Sequence, residues 1–135
     1  MGERFVLSLR IVHPSSSSVE IQRRLGRVAR STWSLGDFIP SKGHIPAKRK
    51  ENSFCSFPLT VNSEESLDAA IARHSLELWE LVDPIRKLML EGAKIELFVG
   101  WFLDSQTGVA MDAGTLTRLS SMQITLSFAV YPPLQ

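Results

Sequence analysis

The chain has 135 residues, of which 44% are hydrophobic and 21% are charged, with a formal net charge of +1. This length predicts one domain over residues 1–135, and the composition favours neither a disordered nor a membrane protein. Cys55 is the single cysteine, which excludes an intrachain disulfide and a cysteine-based zinc site within one chain. No membrane-length apolar run and no secretory signal are recognised, so we expect a cytoplasmic protein with no membrane partner.

The charge is divided unevenly between the two halves. Residues 1–61 hold ten Arg or Lys and four Asp or Glu, whereas residues 62–135 hold five and ten, which gives +6 and −5. Either the basic and acidic elements pack side by side in one domain, or the first half attracts an anionic partner.

The first elements are a strand and a short helix. Residues 5–12 alternate between apolar and more polar side chains, which predicts a strand covered on one face. The serines at 15–18 provide a helix N-cap, and a helix follows to about Leu25, with Gly26 at its end. We expect its buried side to be Ile21, Leu25 and Val28, and its outward side to be Arg23, Arg24, Arg27 and Arg30.

The segment over residues 36–52 is rich in glycine, proline and lysine, which predicts a long mobile connection that is either functional or disordered. Residues 53–61 are apolar enough for a strand. Pro58 demotes this strand to an edge position or introduces a break.

Residues 63–91 carry the longest hydrophobic period, and we predict that they form the central helix of the fold. Asn62 or Ser63 would cap this helix, and Pro84 would kink it between residues 80 and 84. The predicted core-facing stripe consists of Leu67, Ile71, His74, Leu78, Val82, Ile85 and Met89. A second apolar face consists of Leu76, Trp79 and Leu90. These three residues either turn under a loop or bind a protein partner.

The last part of the chain predicts two further strands and a short helix. Residues 94–103 are the most strand-like stretch and should lie centrally in the sheet, followed by a short antiparallel strand at residues 109–111. Asp112 would cap a helix over residues 114–121 with Leu116 and Leu119 inward, and residues 123–131 alternate as a final strand. This order predicts an α+β two-layer sandwich, with a mainly antiparallel sheet of four to five strands and helices packed on one face.

Several of these features together resemble a known family. They are the initial strand, the helix that ends at Leu25 and Gly26, the downstream Trp33, the long helix, and a helix that runs into the alternating strand at residues 119–131. In these features the chain is similar to the bacterial family called domain of unknown function 4279. The chain departs from the family pattern after the Leu-Gly step, where residues 27–30 read Arg-Val-Ala-Arg. The resemblance implies a small cytoplasmic bacterial domain and implies no activity.

The sequence contains no recognised catalytic or metal-binding constellation. His13, His44 and His74 are far apart and lack metal-ligand spacing, and Cys55 lies between phenylalanines, where a small buried hydrophobe is expected rather than a nucleophile. Phosphate-binding loops and dinucleotide glycine patterns are not found. The pattern therefore favours a protein that is not an enzyme, and no metal or cofactor is expected.

Three hypotheses for function follow. The first is a protein-interaction module that forms a homodimer at micromolar concentrations, or an immunity-like or antitoxin-like inhibitor with an unidentified protein partner, acting through Leu76, Trp79 and Leu90. The second is a binder of nucleic acid or another anion, because arginines beside Trp33 suit phosphate contacts and base stacking. Its candidate residues are Arg23, Arg27, Arg30, Lys48, Arg49 and Lys50. The third is a small enzyme with an unrecognised site.

Overall fold

The computed structural model describes residues 4–39 and 48–132. The predicted α+β two-layer sandwich is confirmed, because a mainly antiparallel five-stranded sheet is covered on one face by helices. The strands are β1 (Arg4–His13), β2 (Ser31–Trp33), β3 (Phe38–Ile39), β4 (Lys48–Arg49), β5 (Ser53–Leu59), β6 (Lys94–Phe102) and β7 (Thr125–Tyr131). The helices are α1 (Ser18–Leu25), α2 (Leu67–Trp79), α3 (Val82–Leu90) and α4 (Ala113–Ser121).

The five strands of the main sheet lie in the order β2-β5-β1-β6-β7. All neighbours are antiparallel except β6 and β7, which run parallel and are connected through α4. The prediction that residues 94–103 lie inside the sheet is confirmed, because β6 has a strand on each side. Among the described strands, β7 has a neighbour on one side only and therefore forms an edge of the sheet.

The core lies between the sheet and the helices. The register places Leu9 of β1 opposite Phe57 of β5 and Leu97 of β6, and all three side chains are buried. Ile71 and Leu78 of α2 and Ile85 and Leu88 of α3 complete the same cluster from the helical layer. Burial of one such side chain stabilises the fold by about 1.5–3 kcal/mol, so these period-two and period-four patterns decide which faces meet.

The single helix predicted over residues 63–91 is wrong, because the structure contains two helices. After α2 ends, the N–H groups of Glu80 and Leu81 donate to the carbonyls of Glu77 and Leu78, three residues back. The helix axis is therefore interrupted where a kink was predicted. Pro84 is the third residue of α3, and its missing N–H costs nothing there because the first turn of a helix has unpaired N–H groups in any case.

The cap predicted at Asn62 or Ser63 is also wrong. The N-cap of α2 is Ser66, whose hydroxyl accepts from the N–H of Ala69. Asn62 instead forms a turn with Glu65, in which its N–H donates to the Glu65 carboxylate and its carbonyl accepts from the Glu65 N–H. Asn62 and Ser63 therefore lie outside the helix.

The predicted helices at residues 19–25 and 114–121 are confirmed as α1 and α4, but two side chains expected inside are exposed. Val28 is 86% exposed because Gly26 adopts φ of 65°, which ends α1 and with it the helical period. Leu116 is 47% exposed because the buried stripe of α4 runs through Thr115 and Leu119, one position away on the helix. Asp112 caps α4 as predicted, and its carboxylate accepts from the N–H of Thr115.

Three further corrections concern short strands. Residues 109–111 form no strand, and Val109 and Met111 instead pack partly buried against the core. Patterning did not predict β2, which pairs with β5, nor the β3–β4 hairpin, which pairs the two ends of the segment predicted to be mobile over residues 36–52. Residues 40–47 of that segment lie outside the described residues. The mobility of the connection therefore stays a prediction.

β5 lies between β2 and β1, although Pro58 predicted an edge position or a break in the strand. The N–H of Arg30 donates to the carbonyl of Ser56, so alternate residues of β5, including Pro58, direct their backbone groups toward β2. β2 pairs only as far as Ser56 and does not reach Pro58. The missing N–H of the proline therefore removes no hydrogen bond between these strands.

Candidate functional site

The residues predicted to bind a partner lie on the helical layer but not on one helix. Leu76 and Trp79 are on α2 and are 56% and 38% exposed, and the guanidinium of Arg86 lies 5.5 Å from the Trp79 ring centroid. Leu90 is on α3 and is 89% exposed. Because the helix is interrupted between Trp79 and α3, the three side chains do not form one continuous helical face.

The six residues predicted to bind an anion are divided between different surfaces. Arg23 is exposed on α1 and pairs with Glu20 three residues away. Arg49 lies over the ring of Phe38 in the β3–β4 hairpin, at 4.4 Å from the ring centroid. Arg27 follows α1, and Lys48 is exposed on β4. The remaining two, Arg30 and Lys50, border the face of the sheet that is opposite the helices.

We call this second side of the sheet the open face, and it is defined by the strand register. Its side chains alternate with the core residues of each strand and, apart from Gly100, stay partly or fully exposed. The open-face positions that carry aromatic or charged side chains are Arg4, Arg10, Trp33, Phe54, Lys94, Glu96, Phe98, Phe102 and Tyr131. No helix in the described ranges packs on this face.

Cations and rings alternate across the open face. The Arg10 guanidinium carbon lies 3.6 Å from the centroid of Phe98, and Lys50 Nζ lies 3.9 Å from the centroid of Trp33. Trp33 in turn stacks on Phe54 with a centroid separation of 4.4 Å. At the opposite end, Phe102 and Tyr131 stack at 4.8 Å, with Arg4 at 5.4 Å from the Phe102 ring.

A hollow of about 230 Å³ lies near the middle of the open face. Its lining includes Ser8, Arg10, Arg30, Ser56, Pro58 and Phe98. One oxygen of Glu96 lies 3.9 Å from a guanidinium nitrogen of Arg10, and the other oxygen of Glu96 accepts from Ser127. Arg10 Nε is buried without a hydrogen-bond partner among the described residues, as is Trp33 Nε1. The chain therefore buries two donors on this side of the sheet without an acceptor in the described residues.

The open face was not predicted from the sequence, because the basic segments and the long helix supplied the candidate residues. The signal for this face was the set of residues that alternate with the core positions of each strand. Phe98 and Phe102 occupy the positions of β6 that alternate with its core residues, and Phe54 does so in β5. Aromatic side chains at positions where an amphipathic strand is usually polar indicate a face with a further role.

The edge strand β7 is the second unusual surface. Its seven residues, Thr-Leu-Ser-Phe-Ala-Val-Tyr, include no charged side chain and no proline. Phe128, Val130 and Tyr131 are 40%, 51% and 47% exposed. Natural edge strands usually carry a charge, a proline or a cover that prevents pairing with another chain. β7 has neither of the first two devices.

The family model described as Domain of unknown function (DUF4279) matches residues 3–133. The chain belongs to this family. Comparison with curated proteins and with solved structures found no significant match. The resemblance noted in the sequence is confirmed. The family description names no activity, so indications of function in this DUF4279 chain come from its own surfaces.

One buried histidine of the DUF4279 chain forms a polar cluster with a carboxylate. His13 Nδ1 accepts from the backbone N–H groups of Ser15 and Ser16, which places the ring proton on Nε2, and Nε2 donates to Glu91 at 2.9 Å. Arg24 donates to both oxygens of Glu91 at 2.7 and 2.8 Å. Hydrogen bonds from Arg24 and then His13 lower the pKa of Glu91 to about 2. The His13 ring is fully buried with both nitrogens engaged, so the cluster joins β1, α1 and α3 and gives a substrate no access.

The other nucleophilic and metal-binding candidates are also structural. Burial raises the pKa of the Cys55 thiol to about 11, and its sulfur donates to the carbonyl of Ser18. His74 is buried with its Nε2 2.5 Å from the carbonyl of Thr60. His44 lies outside the described residues. Within the two described ranges, no group of three or more His, Cys, Asp or Glu residues is arranged to hold a metal ion. Nor does that part of the chain contain a helix long and apolar enough to cross a bilayer.

Proposed function

We propose that this DUF4279 chain is a self-associating interaction module in which β7 of one copy pairs antiparallel with β7 of a second copy. The observation that carries the proposal is the uncharged and exposed edge of the sheet at β7. Such an edge offers unpaired backbone groups to another strand, and it carries no charge that would repel an identical one.

One side of the β7 backbone has no strand beside it within residues 4–39 and 48–132. The carbonyl of Tyr131 accepts from the N–H of Leu103, so the backbone groups of Tyr131 face β6. Because these groups alternate along a strand, those of Leu126, Phe128 and Val130 face away from β6. A second strand can therefore pair with these three residues without breaking any bond inside the monomer.

The side chains of β7 also favour pairing with a second copy at this edge. The register places Leu126, Phe128 and Val130 on the side of the sheet that the helices cover, opposite Leu97, Val99 and Trp101. The helices cover the β6 residues of this row fully, yet Phe128 and Val130 remain exposed. On α4, the exposed Leu116 lines a groove beside Leu126. Together these side chains form an apolar strip along the free edge.

Two copies related by a twofold axis can pair through their β7 edges. If Phe128 of one copy lies opposite Phe128 of the other, Leu126 lies opposite Val130 and the two strands exchange about six backbone hydrogen bonds. The apolar strip of each copy then meets the strip of the other. Strand pairing alone buries less than the roughly 1,200 Å² of a standard interface, so we expect a dimer with a micromolar dissociation constant rather than an obligate one.

The edge is a better candidate interface than the α2 surface proposed from the sequence. Trp79 is only 38% exposed, contacts Arg86, and belongs to a helix whose backbone groups are already bonded. Leu90 lies on a separate helix. Phe128 and Val130 present both apolar side chains and unpaired backbone groups. Pairing at β7 therefore buries apolar surface and also forms backbone hydrogen bonds.

The test is the oligomeric state of matched variants, measured by light scattering after size exclusion and by sedimentation at about 1–200 µM. We expect a concentration-dependent dimer for the unmodified protein. Phe128→Lys places two like charges opposite each other and should give a folded monomer. Val130→Pro removes one outward N–H and no bond to β6, and should also weaken the dimer.

Trp79→Glu is the matched control and should leave the dimer unchanged. A monomer at all concentrations for the unmodified protein contradicts the proposal. So does dissociation by Trp79→Glu with no effect of Phe128→Lys, which would favour the α2 surface instead. Far-ultraviolet circular dichroism of each variant verifies that the fold is intact.

A further inference from the structure

The open face carries an excess of positive charge. Arg4, Arg10 and Lys94 project from its strands, Arg30 lines its hollow, and Lys50 lies over Trp33. Among the described strand residues, Glu96 is the single carboxylate on this face. The part of the helical layer formed by α2 and α3 is acidic by contrast, because residues 64–91 contain seven Asp or Glu and three Arg or Lys. The two sides of the molecule therefore attract different partners.

The rings of the open face are distributed along its full diagonal. Trp33 and Phe54 lie at the β2 end, Phe98 lies in the middle, and Phe102 and Tyr131 lie at the β7 end. Strands are spaced about 4.8 Å apart, so the four spacings from β2 to β7 give roughly 19 Å across the strands. Each of the three places has a cation within 5.4 Å of a ring centroid. An extended ligand can contact all three places at once.

We infer that the open face binds single-stranded nucleic acid. Phosphates would contact Arg10 and Arg30 at the hollow, with the hydroxyls of Ser8 and Ser56 beside them. Bases would stack on the outer faces of the ring pairs and of the guanidinium planes that lie on the rings. The hollow is smaller than the roughly 300–1,000 Å³ typical of small-molecule sites, and the basic and aromatic groups extend well beyond it. An anionic polymer fits this distribution better than a small anion does.

Charge also argues against a second copy of the chain on this face. Five cations and one carboxylate would face an identical set, and like-charge juxtaposition opposes such contact. The inference is independent of the proposed dimer, because β7 pairs through its edge and the open face lies perpendicular to that edge. In the dimer the two open faces would continue one another.

The experiment is fluorescence anisotropy with labelled 12-nucleotide oligomers of uridine and of thymidine, titrated with the full chain at several salt concentrations. We expect binding that weakens with salt, with a slope of about 0.7 in log–log form for each phosphate contact. Arg10→Gln and Arg30→Gln should each lower affinity about 10-fold and reduce the slope by about 0.7. Phe98→Leu should lower affinity about 5-fold and leave the slope unchanged, since it removes stacking and no charge.

Arg23→Gln is the matched control, because it removes the same charge from α1 and leaves the open face unchanged. Its affinity should stay within about 2-fold of the unmodified protein. Arg30 is exposed, so its variant keeps the test valid if Arg10→Gln disturbs the fold.

Several outcomes would overturn the inference. One is failure of both oligomers to bind at low salt, and another is an equal effect of Arg23→Gln and Arg30→Gln. Uridine monophosphate or inorganic phosphate that competes as well as the 12-mer would show a small-anion site. Polyglutamate that binds as tightly as the oligomers would show a site for acidic proteins.

Discussion

Replacement of Glu91 by glutamine tests the buried polar cluster that joins three elements of the fold. The carboxylate of Glu91 accepts two hydrogen bonds from Arg24 and one from His13. The amide of glutamine retains one acceptor oxygen and directs an NH₂ group at a donor, so at least one of the three bonds is lost. The side chain of Arg24 is only 13% exposed, and its charge then lacks a counter-ion.

The expected cost follows from these contacts. Hydrogen bonds to charged groups contribute about 1.5–3 kcal/mol, and the partial exposure of Glu91 reduces the loss, so we expect about 2 kcal/mol at neutral pH. For a domain of this size that corresponds to a fall of roughly 4–10 °C in melting temperature.

The pH dependence has a definite sign. The folded-state pKa of Glu91 is lowered to about 2 from an ordinary value of 4.5, so its contribution is present above pH 4.5 and is lost as the pH falls toward 2. Glu91→Gln should therefore be less stable than the unmodified protein at pH 7, and the difference should shrink between pH 4.5 and pH 2. Urea unfolding at several pH values, followed by tryptophan fluorescence, measures this difference.

Glu80→Gln is the control, because Glu80 is an exposed carboxylate that follows α2. It should alter the free energy of unfolding by less than about 0.5 kcal/mol at every pH. A loss for Glu91→Gln that is constant between pH 7 and pH 2, or one that Glu80→Gln matches, would refute the account of the cluster.

Two further predictions concern packing and thiol chemistry. Leu78→Ala should lower the free energy of unfolding by about 2–5 kcal/mol because Leu78 is fully buried, whereas Leu76→Ala should cost less than about 1 kcal/mol because Leu76 is 56% exposed. Equal losses in chemical denaturation would mean that the core face of α2 is wrongly assigned. Cys55, whose pKa is raised to about 11 by burial, should not react with a thiol reagent at pH 8 until the protein unfolds. Rapid labelling of the folded protein would contradict the buried position.

Local patterns predicted most of the elements because their causes are local. The alternation in β1 and β6, the hydroxyl and carboxylate caps of α1 and α4, and the left-handed Gly26 all act within a few residues. The same patterns failed at two positions expected in the core. Val28 follows Gly26, which ends α1, and Leu116 lies one position away from the stripe of α4 that packs.

The sequence by itself determined the fold class, the family, and the separation of apolar from polar positions along each strand. It also determined that β7 is an uncharged strand, because no neighbour in space changes its composition. These properties depend on residue type and spacing, which chemistry translates directly into burial preference.

Only the tertiary structure decided which strands are neighbours and therefore which side chains share a surface. Trp33 and Phe98 are 65 residues apart in the chain, and strand pairing places both of them and Phe54 on one face. Pairing order also left β7 at an edge and set β5 inside the sheet despite Pro58. Long-range pairing depends on how all the elements pack together, so no local pattern specifies it, and both proposed binding surfaces follow from that packing.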